Sequence, residues 1–132
     1  MPKRELKHPT MGSGPGFSRA IEVSGGRTIY FAGQAPNDVG VATVGIGDVK
    51  AQANACFVKL KALIEVAGGS MADFVMLNMY LTDMRMMGAV HEVIEEYFTE
   101  APFPAMSGYQ VAALGNPDWL IEIDGVAFIA DE

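Results

Sequence analysis

Two segments of the chain place apolar residues at the spacing of helices that are buried on one face. Asp48 is a suitable N-cap and Gly68 with Gly69 supplies a stop, so the pattern predicts a helix over residues 48–67. A second helix is predicted over about residues 87–98. The expected buried positions are Val49, Ala53, Cys56, Phe57, Leu60, Leu63, Ile64 and Ala67 in the first helix and Val90, Val93, Ile94 and Tyr97 in the second, whereas Gln52 lies off the apolar face.

Other segments have the composition and spacing of strands. The strand candidates are residues 20–23, 28–32, 74–82, 105–112 and 119–130. Gly25-Gly26 is interpreted as a hairpin turn between the first two strands. Residues 74–82 alternate little, which predicts a strand covered on both faces, by helices on one and by another subunit on the other.

The order of these elements, β-β-α-β-α-β-β, predicts an α+β fold. Both helices can lie on one face of a mixed sheet, which leaves the opposite face to a partner. Residues 34–47 carry Pro36, Asn37 and several glycines and are predicted to be a loop. One domain is expected over residues 1–132, with residues 1–13 as a loosely ordered N-terminal segment.

Composition narrows the classes of function. The net charge of −7 argues against nucleic-acid binding, which needs a basic face, and a basic group at Lys3, Arg4 and Lys7 is interpreted as a solvated terminus. A single cysteine, Cys56, excludes an internal disulfide, and the chain has no apolar run of membrane-spanning length and no secretory signal. A cytoplasmic location is therefore expected. A hydrophobic fraction of 50% in so short a chain favours burial between subunits.

Six motifs in order resemble those of one known family. They are Gly14-Pro15-Gly16-Phe17-Ser18-Arg19-Ala20, Phe31-Ala32-Gly33-Gln34-Ala35-Pro36, the run from Leu60 to Gly68, Tyr80-Leu81-Thr82-Asp83-Met84, Phe103-Pro104-Ala105-Met106-Ser107, and Ile121-Glu122-Ile123-Asp124. Together they cover about residues 14–130, and the chain resembles the Rid (YjgF) family of imine and enamine deaminases.

This resemblance implies a chorismate-mutase-like fold. In that architecture two helices cover one face of each sheet, three subunits join their sheets in a central β-barrel, and small-molecule ligands bind in clefts between subunits. Members hydrolyse imines and enamines to ketones and ammonia, and we expect neither a cofactor nor a metal in this chain. Glu122 would then handle the attacking water, and backbone groups near Gly33, Ser107 and Gly108 would hold the substrate. Gly33, Ser107 and Glu122 match the family pattern.

The sequence departs from that pattern at four positions of the expected binding site. Met106 stands where the family has an arginine that clamps the substrate carboxylate, a task that methionine cannot perform. Phe17 replaces a tyrosine, His91 replaces an asparagine and Gly108 replaces a cysteine. With Met106 expected to face the cleft, the departures argue against simple 2-imino acids as substrates.

For several candidate site residues the sequence leaves two interpretations open. Glu122 is either the group that orients water or an outward-facing residue of an alternating strand. Arg19 either supplies the positive charge that Met106 lacks or is a solvated strand residue. His91 is either an acid–base group of the cleft or an ordinary helix residue. Phe17, Met106 and Tyr109 either line an apolar pocket for a planar ligand or pack in the core.

Cys56 is interpreted as a buried structural residue, and the sequence, with only His8 and His91, offers no set of metal ligands. Two functions remain open from the sequence. The first is a divergent Rid-type hydrolase that releases ammonia from a small imine, enamine or related amino compound. The second is a non-catalytic trimer that binds a small ligand or has a regulatory role. A ribonuclease is disfavoured by the acidic charge and by the lack of paired histidines.

Overall fold

The computed structural model describes residues 3–11, 16–37 and 42–132. Gly14 and Pro15 of the N-terminal motif, and Val39 and Val41 of the predicted loop, lie outside the described residues. The strands are β1 (Lys3–Glu5), β2 (Ile21–Val23), β3 (Gly26–Gln34), β4 (Phe74–Leu81), β5 (Ala105–Gln110) and β6 (Ile121–Ala130). The helices are α1 (Val49–Val66) and α2 (Met87–Tyr97), and short 3-10 turns, Met71–Asp73 and Met84–Met86, precede β4 and α2.

Four strands form a mixed sheet in the order β3-β6-β4-β5. β6 pairs antiparallel with both β3 and β4, whereas β4 and β5 are parallel. Parallel neighbours need a crossover connection, and α2 provides it. Both helices pack on one face of the sheet, where they share the hydrophobic core with β4 and β6. The predicted α+β class with two helices on one face of a mixed sheet is confirmed.

Helix α1 begins where the sequence predicts it. The side chain of Asp48 accepts a hydrogen bond from the amide of Ala51 at 3.1 Å, as an N-cap does. Two side chains differ from the prediction. Leu63 is 44% exposed, and Gln52, expected off the apolar face, is fully buried.

The side-chain amide of Gln52 can be buried because it is hydrogen-bonded to two loops. Its Nε2 donates to the carbonyl oxygens of Gly45, at 3.3 Å, and Asp118, at 2.9 Å. Its Oε1 accepts from the amide of Leu120 at 2.8 Å. These bonds satisfy a polar side chain in the core and fix the start of β6, the strand that carries Glu122.

The predicted hairpin between residues 20–23 and 28–32 is wrong. β2 pairs antiparallel with β1, and β3 pairs with β6 instead. The N-terminal segment also differs from the expectation of loose order at Lys3–Glu5, which forms β1. Arg4 makes a cross-strand ion pair with Glu22 at 2.7 Å, and Lys3 donates to the carbonyl oxygen of Ala72, which joins β1 to the 3-10 turn before β4.

β4 alternates more clearly in burial than its sequence indicates. Phe74, Leu77, Met79 and Leu81 are buried, and they face the helices. Between them Met76, Asn78 and Tyr80 are partly exposed on the opposite face. The face of β4 away from the helices is therefore mixed in polarity, because an asparagine and a tyrosine lie there beside Met76.

Candidate functional site

The carboxylate of Glu122 lies directly against the backbone of Gly33. A Cβ atom placed on Gly33 would be 2.4 Å from Oε2 of Glu122 and 2.8 Å from its Cδ. The β3–β6 register shifts between Phe31 and Gln34, and this irregularity brings Gly33 under the glutamate side chain. Any larger residue at position 33 would displace the carboxylate from this position.

A second carboxylate on the same strand is held by two hydrogen bonds. Asp124 accepts from Nδ2 of Asn78 at 2.8 Å and from the hydroxyl of Tyr80 at 2.9 Å. The hydrogen bond to Asp124, followed by burial, raises the pKa of Tyr80 to about 12. The sequence analysis did not predict this cluster. The spacing of Glu122 and Asp124 could have indicated it, because residues two apart on a strand lie on the same face.

Two tyrosines extend this polar row across the sheet. Tyr80 is the register partner of Glu122 on one side and of Tyr109 on the other. The rings of Tyr80 and Tyr109 stack with centroids 5.6 Å apart and planes inclined by 20°. Ser107 is the register partner of Asn78 and so belongs to the same face. We call this face, with Gly33, Glu122, Asp124, Tyr80 and Ser107, the outer face.

Met106 and Gly108 lie on the opposite side of the sheet. Their register partners on β4, Leu77 and Met79, are buried among the core residues, and Met106 packs against the same core. A Cβ on Gly108 would be 3.5 Å from Cε of Met84 and from Sδ of Met87. Met106 and Tyr109 therefore do not line one pocket within a chain, because they are on opposite faces.

The N-terminal motif approaches the helix side of the sheet near Met106. The amide of Ser18 donates to the carbonyl oxygen of Pro104 at 3.0 Å, which seats Phe17 and Ser18 beside the start of β5. A Cβ on Gly16 would be 3.6 Å from Nε2 of His91. His91 also lies 3.7 Å from Glu95, one turn along α2. We call the group of Gly16, Phe17, His91, Met106 and Gly108 the helix-side group.

The predicted site residues thus form two groups that the sheet separates. Gly33, Ser107 and Glu122 lie on the outer face, where Glu122 contacts Gly33. Met106 and Gly108 lie on the helix side, and Gly16, next to Phe17, approaches His91 there. Arg19 joins neither group, since it lines a separate surface pocket with Lys7 and His8.

The family model of endoribonuclease L-PSP matches residues 11–129, nearly the whole chain. The chain belongs to this family, also called RidA/YjgF. A RutC family protein of Pyrococcus abyssi is 37% identical over 112 residues, which are 85% of each chain. A 2-iminobutanoate/2-iminopropanoate deaminase of Dermatophagoides farinae is 32% identical over 130 residues, 97% of this chain and 98% of the relative.

A solved structure agrees with the RidA/YjgF assignment. The Rid family protein YyfB of Yersinia pestis superposes with a TM-score of 0.88 at 32% identity, covering 98% of this chain and all of its own. The mixed sheet with two helices on one face is therefore the family fold, as the sequence motifs predicted.

Two further features bear on the chemistry that this RidA/YjgF chain offers. Burial raises the pKa of the Cys56 thiol to about 12, so the thiolate that a nucleophile needs is suppressed.

Within residues 3–11, 16–37 and 42–132, no group of three His, Cys, Asp or Glu side chains is placed to hold a metal ion. In the same part of the chain, no helix is long and apolar enough to cross a membrane. Carboxylates, hydroxyls and backbone groups are the reactive groups of the outer face.

Proposed function

We propose that this chain is a hydrolase that releases ammonia from a small imine, enamine or related amino compound, and that it acts as a homotrimer with clefts between subunits. The observation that carries the proposal is the placement of Glu122 against Gly33 on the outer face. A carboxylate held there, beside accessible backbone, can orient a water molecule toward a bound planar substrate.

The reaction requires one water per C=N bond. Glu122 accepts a proton from water as the oxygen attacks the imine carbon, and it returns this proton to the imine nitrogen, which gives a neutral carbinolamine. Glu122 then takes the hydroxyl proton of the carbinolamine and delivers it to the nitrogen, so the C–N bond breaks, the carbonyl forms and ammonia leaves. An enamine substrate first takes a proton on carbon and loses one from nitrogen, which gives the imine. No redox partner is needed, and the family relative from Dermatophagoides farinae is named for a reaction of this type.

The division of the site between two faces supports the trimer. A ligand cannot contact Glu122 and Met106 of the same chain, since the sheet lies between them. If the outer face of one subunit packs beside the helix-side group of the next, both groups border one cleft. Sedimentation at micromolar concentration is expected to give about three times the monomer mass of 14.1 kDa, and a monomer mass would rule out the shared cleft.

Met106 sets the substrate class within this proposal. It packs on core residues and offers no charge, whereas a bidentate arginine contact would favour a carboxylate beside the imine. We therefore propose substrates other than simple 2-imino acids. A cytoplasmic location is also part of the proposal, because a sequence with one cysteine has no internal disulfide that would call for an oxidising compartment.

The test is ammonia release from a panel of freshly generated imines and enamines. Glu122→Gln removes the base and is expected to lower kcat by about two orders of magnitude or more on the best substrate. Glu96→Gln is the matched control, since Glu96 is an exposed glutamate of α2. Equal rates for Glu122→Gln and the unaltered chain would refute the assigned role.

A non-catalytic, ligand-binding trimer is the second candidate. The observation that favours it is the uncharged, core-packed side chain at Met106, which is compatible with a retained cleft and lost chemistry. In that case imine analogues would bind to the trimer, ammonia release would equal the uncatalysed rate, and Glu122→Gln would change neither.

A further inference from the structure

Two methionine side chains converge on Gly108 of the helix-side group. A Cβ atom placed on Gly108 would be 3.5 Å from Cε of Met84 and 3.5 Å from Sδ of Met87. Among the described residues, its chain neighbours apart, that atom would meet nothing else within 4 Å. Both separations are ordinary van der Waals distances. The glycine therefore leaves open a space that two thioether side chains border.

The turn that carries Met84 is held against the end of β5. The amide of Met84 donates to Oε1 of Gln110 at 2.9 Å, and Gln110 is two residues after Gly108 on β5. Asp83 caps the same turn by accepting from the amide of Arg85 at 2.9 Å. These hydrogen bonds fix the backbone of Met84 beside the strand that carries the glycine.

The space between the two methionines is accessible. Gly108 is exposed, Met84 is 36% exposed, and Met87 is partly exposed although it packs against the core. Methionine sulfur makes favourable contacts with aromatic rings, and its flexible side chain adapts to apolar groups of different shape. This part of the helix side can therefore contact an aryl or alkyl group of a ligand.

The charged side chains close to this space already face partners of opposite charge. The guanidinium of Arg85 pairs with the carboxylate of Asp83 at 2.7 Å. His91 lies 3.7 Å from the carboxylate of Glu95. Met106, two residues before the glycine on β5, packs against the core and has no charge. A ligand carboxylate placed here would lose hydration without gaining a charge partner from these side chains.

We propose that Met84, Met87 and Gly108 form a specificity subsite for the apolar group beside the C=N bond. This inference rests on the hydrolase proposed above and names its substrate class. The substrate is a neutral imine or enamine with an aryl or alkyl group and no adjacent carboxylate. Met106 continues the apolar surface along β5, and the neighbouring subunit of the proposed trimer supplies Glu122 to the C=N bond.

Calorimetric titration of the intact protein with phenylacetamide tests the subsite without turnover. Phenylacetamide is a stable, uncharged analogue of such an imine. Acetamide lacks the ring and phenylacetate replaces the amide with a charged carboxylate, so each is expected to bind about tenfold more weakly. Absence of phenylacetamide binding, or equal or tighter binding of either of the other two compounds, would overturn the proposal.

Variants locate the side chains that contact the ring. Met84→Gln and Met87→Gln put a polar amide in place of a thioether, and each is expected to weaken phenylacetamide binding about tenfold. Met11→Gln is the matched control and is expected to leave binding unchanged, because Met11 lines the separate surface pocket that contains Arg19.

A third variant fills the space itself. Gly108→Ala places a methyl group at ordinary contact distance from both methionines, so the fold is expected to be kept while phenylacetamide binding falls about threefold. Circular dichroism verifies the fold of every variant. Unchanged phenylacetamide binding in folded Met84→Gln, Met87→Gln or Gly108→Ala protein would refute the subsite.

Turnover distinguishes a failure of this inference from a failure of the proposed hydrolase. The imines 2-phenylethanimine and 2-imino-3-phenylpropanoate differ only in the carboxylate, and both can be generated in the assay by oxidation of the amine or amino acid. Ammonia release is expected to be faster from the neutral imine by about tenfold or more. The reverse preference would overturn the substrate class. Uncatalysed rates for both imines, together with the expected preference for phenylacetamide, would refute the hydrolase and support the subsite.

Discussion

Glu122 occupies the space in which a side chain at residue 33 would begin. Its Oε2 lies 2.4 Å from the position of a Cβ on Gly33, which is far inside a van der Waals contact. The glutamate therefore lies against bare backbone, and its position depends on the absence of one carbon atom in the neighbouring strand.

Gly33→Ala is expected to displace the carboxylate and lower catalytic turnover by about one to two orders of magnitude. The free energy of unfolding should fall by less than about 1.5 kcal/mol, because a flexible side chain can swing aside. Ammonia release and thermal unfolding measure the two effects. Gly88→Ala is the control, since a Cβ there meets nothing within 4 Å. Full activity in Gly33→Ala would mean that the position of Glu122 is unimportant.

Turnover of 2-iminopropanoate is expected to be two to three orders of magnitude below that of an arginine-bearing relative. The reason is that Met106 cannot provide the bidentate contact to the carboxylate, whose loss costs roughly 2–5 kcal/mol. A coupled assay with imino acid generated in place measures the rate. Comparable turnover would show that another cation binds the carboxylate, and Arg19 would be the first to test.

Met106→Arg is expected to introduce binding of benzoate or pyruvate at the cleft, by about tenfold or more over the unaltered chain. It should also lower the free energy of unfolding by roughly 1–3 kcal/mol, because Met106 packs against the core and an arginine must leave it to reach solvent. Calorimetry and thermal melting separate the two effects. Met106→Leu keeps the volume and is expected to change neither. A stable Met106→Arg protein that ignores both carboxylates would indicate a cleft rebuilt for an uncharged ligand.

The titration of Tyr80 provides a test of the Asp124 cluster. Its pKa is raised from 10.0 to about 12, so the folded protein holds the phenol proton more tightly than the unfolded chain. The associated stabilisation is complete below pH 10 and is lost as the pH rises through about 12. Tyrosinate absorbance should show a step near pH 12 that disappears in Tyr80→Phe. Asp124→Asn should move that step toward pH 10, and a step that stays in place would contradict the assigned cause.

Gln52→Ala is expected to lower the free energy of unfolding by about 2–4 kcal/mol, since it removes a fully buried side chain and leaves the partly buried amide of Leu120 without its acceptor. Chemical denaturation measures the loss. Lys61→Ala, on the exposed side of the same helix, should change stability by less than about 0.5 kcal/mol. Similar losses in the two variants would mean that the Gln52 network contributes little.

Both helices and the buried face of β6 followed from periodicity, because local apolar spacing sets them, whereas the sequence of β4 alternates too little to show which of its residues are buried. Gln52 could not be placed from the sequence, since its partners Asp118 and Leu120 are 66 and 68 residues away. The predicted pairing of β2 with β3 was wrong for the same reason, because strand pairing joins residues that are far apart in the sequence. The irregularity that brings Gly33 under Glu122 depends on the β3–β6 register, which has no local signature.

Motif similarity identified the residues of the candidate site but not their arrangement. Ser107 and Met106 are neighbours in the sequence, and strand alternation sends them to opposite faces. The sequence motif alone does not show that these two residues lie on different faces of the sheet. The register with β4 was needed to assign Ser107 to the carboxylates and Met106 to the core.

The split between the two faces has a genetic consequence if clefts are shared around a ring of three. A subunit with a defect at Glu122 keeps an intact helix-side group, and a subunit with a defect at Met106 or Gly108 keeps an intact outer face. A trimer that contains both kinds of subunit has one cleft to which each adjoining subunit contributes an intact surface. Two alleles that are each inactive alone would then complement one another in the same cell, whereas two alleles with damage on the same face would not.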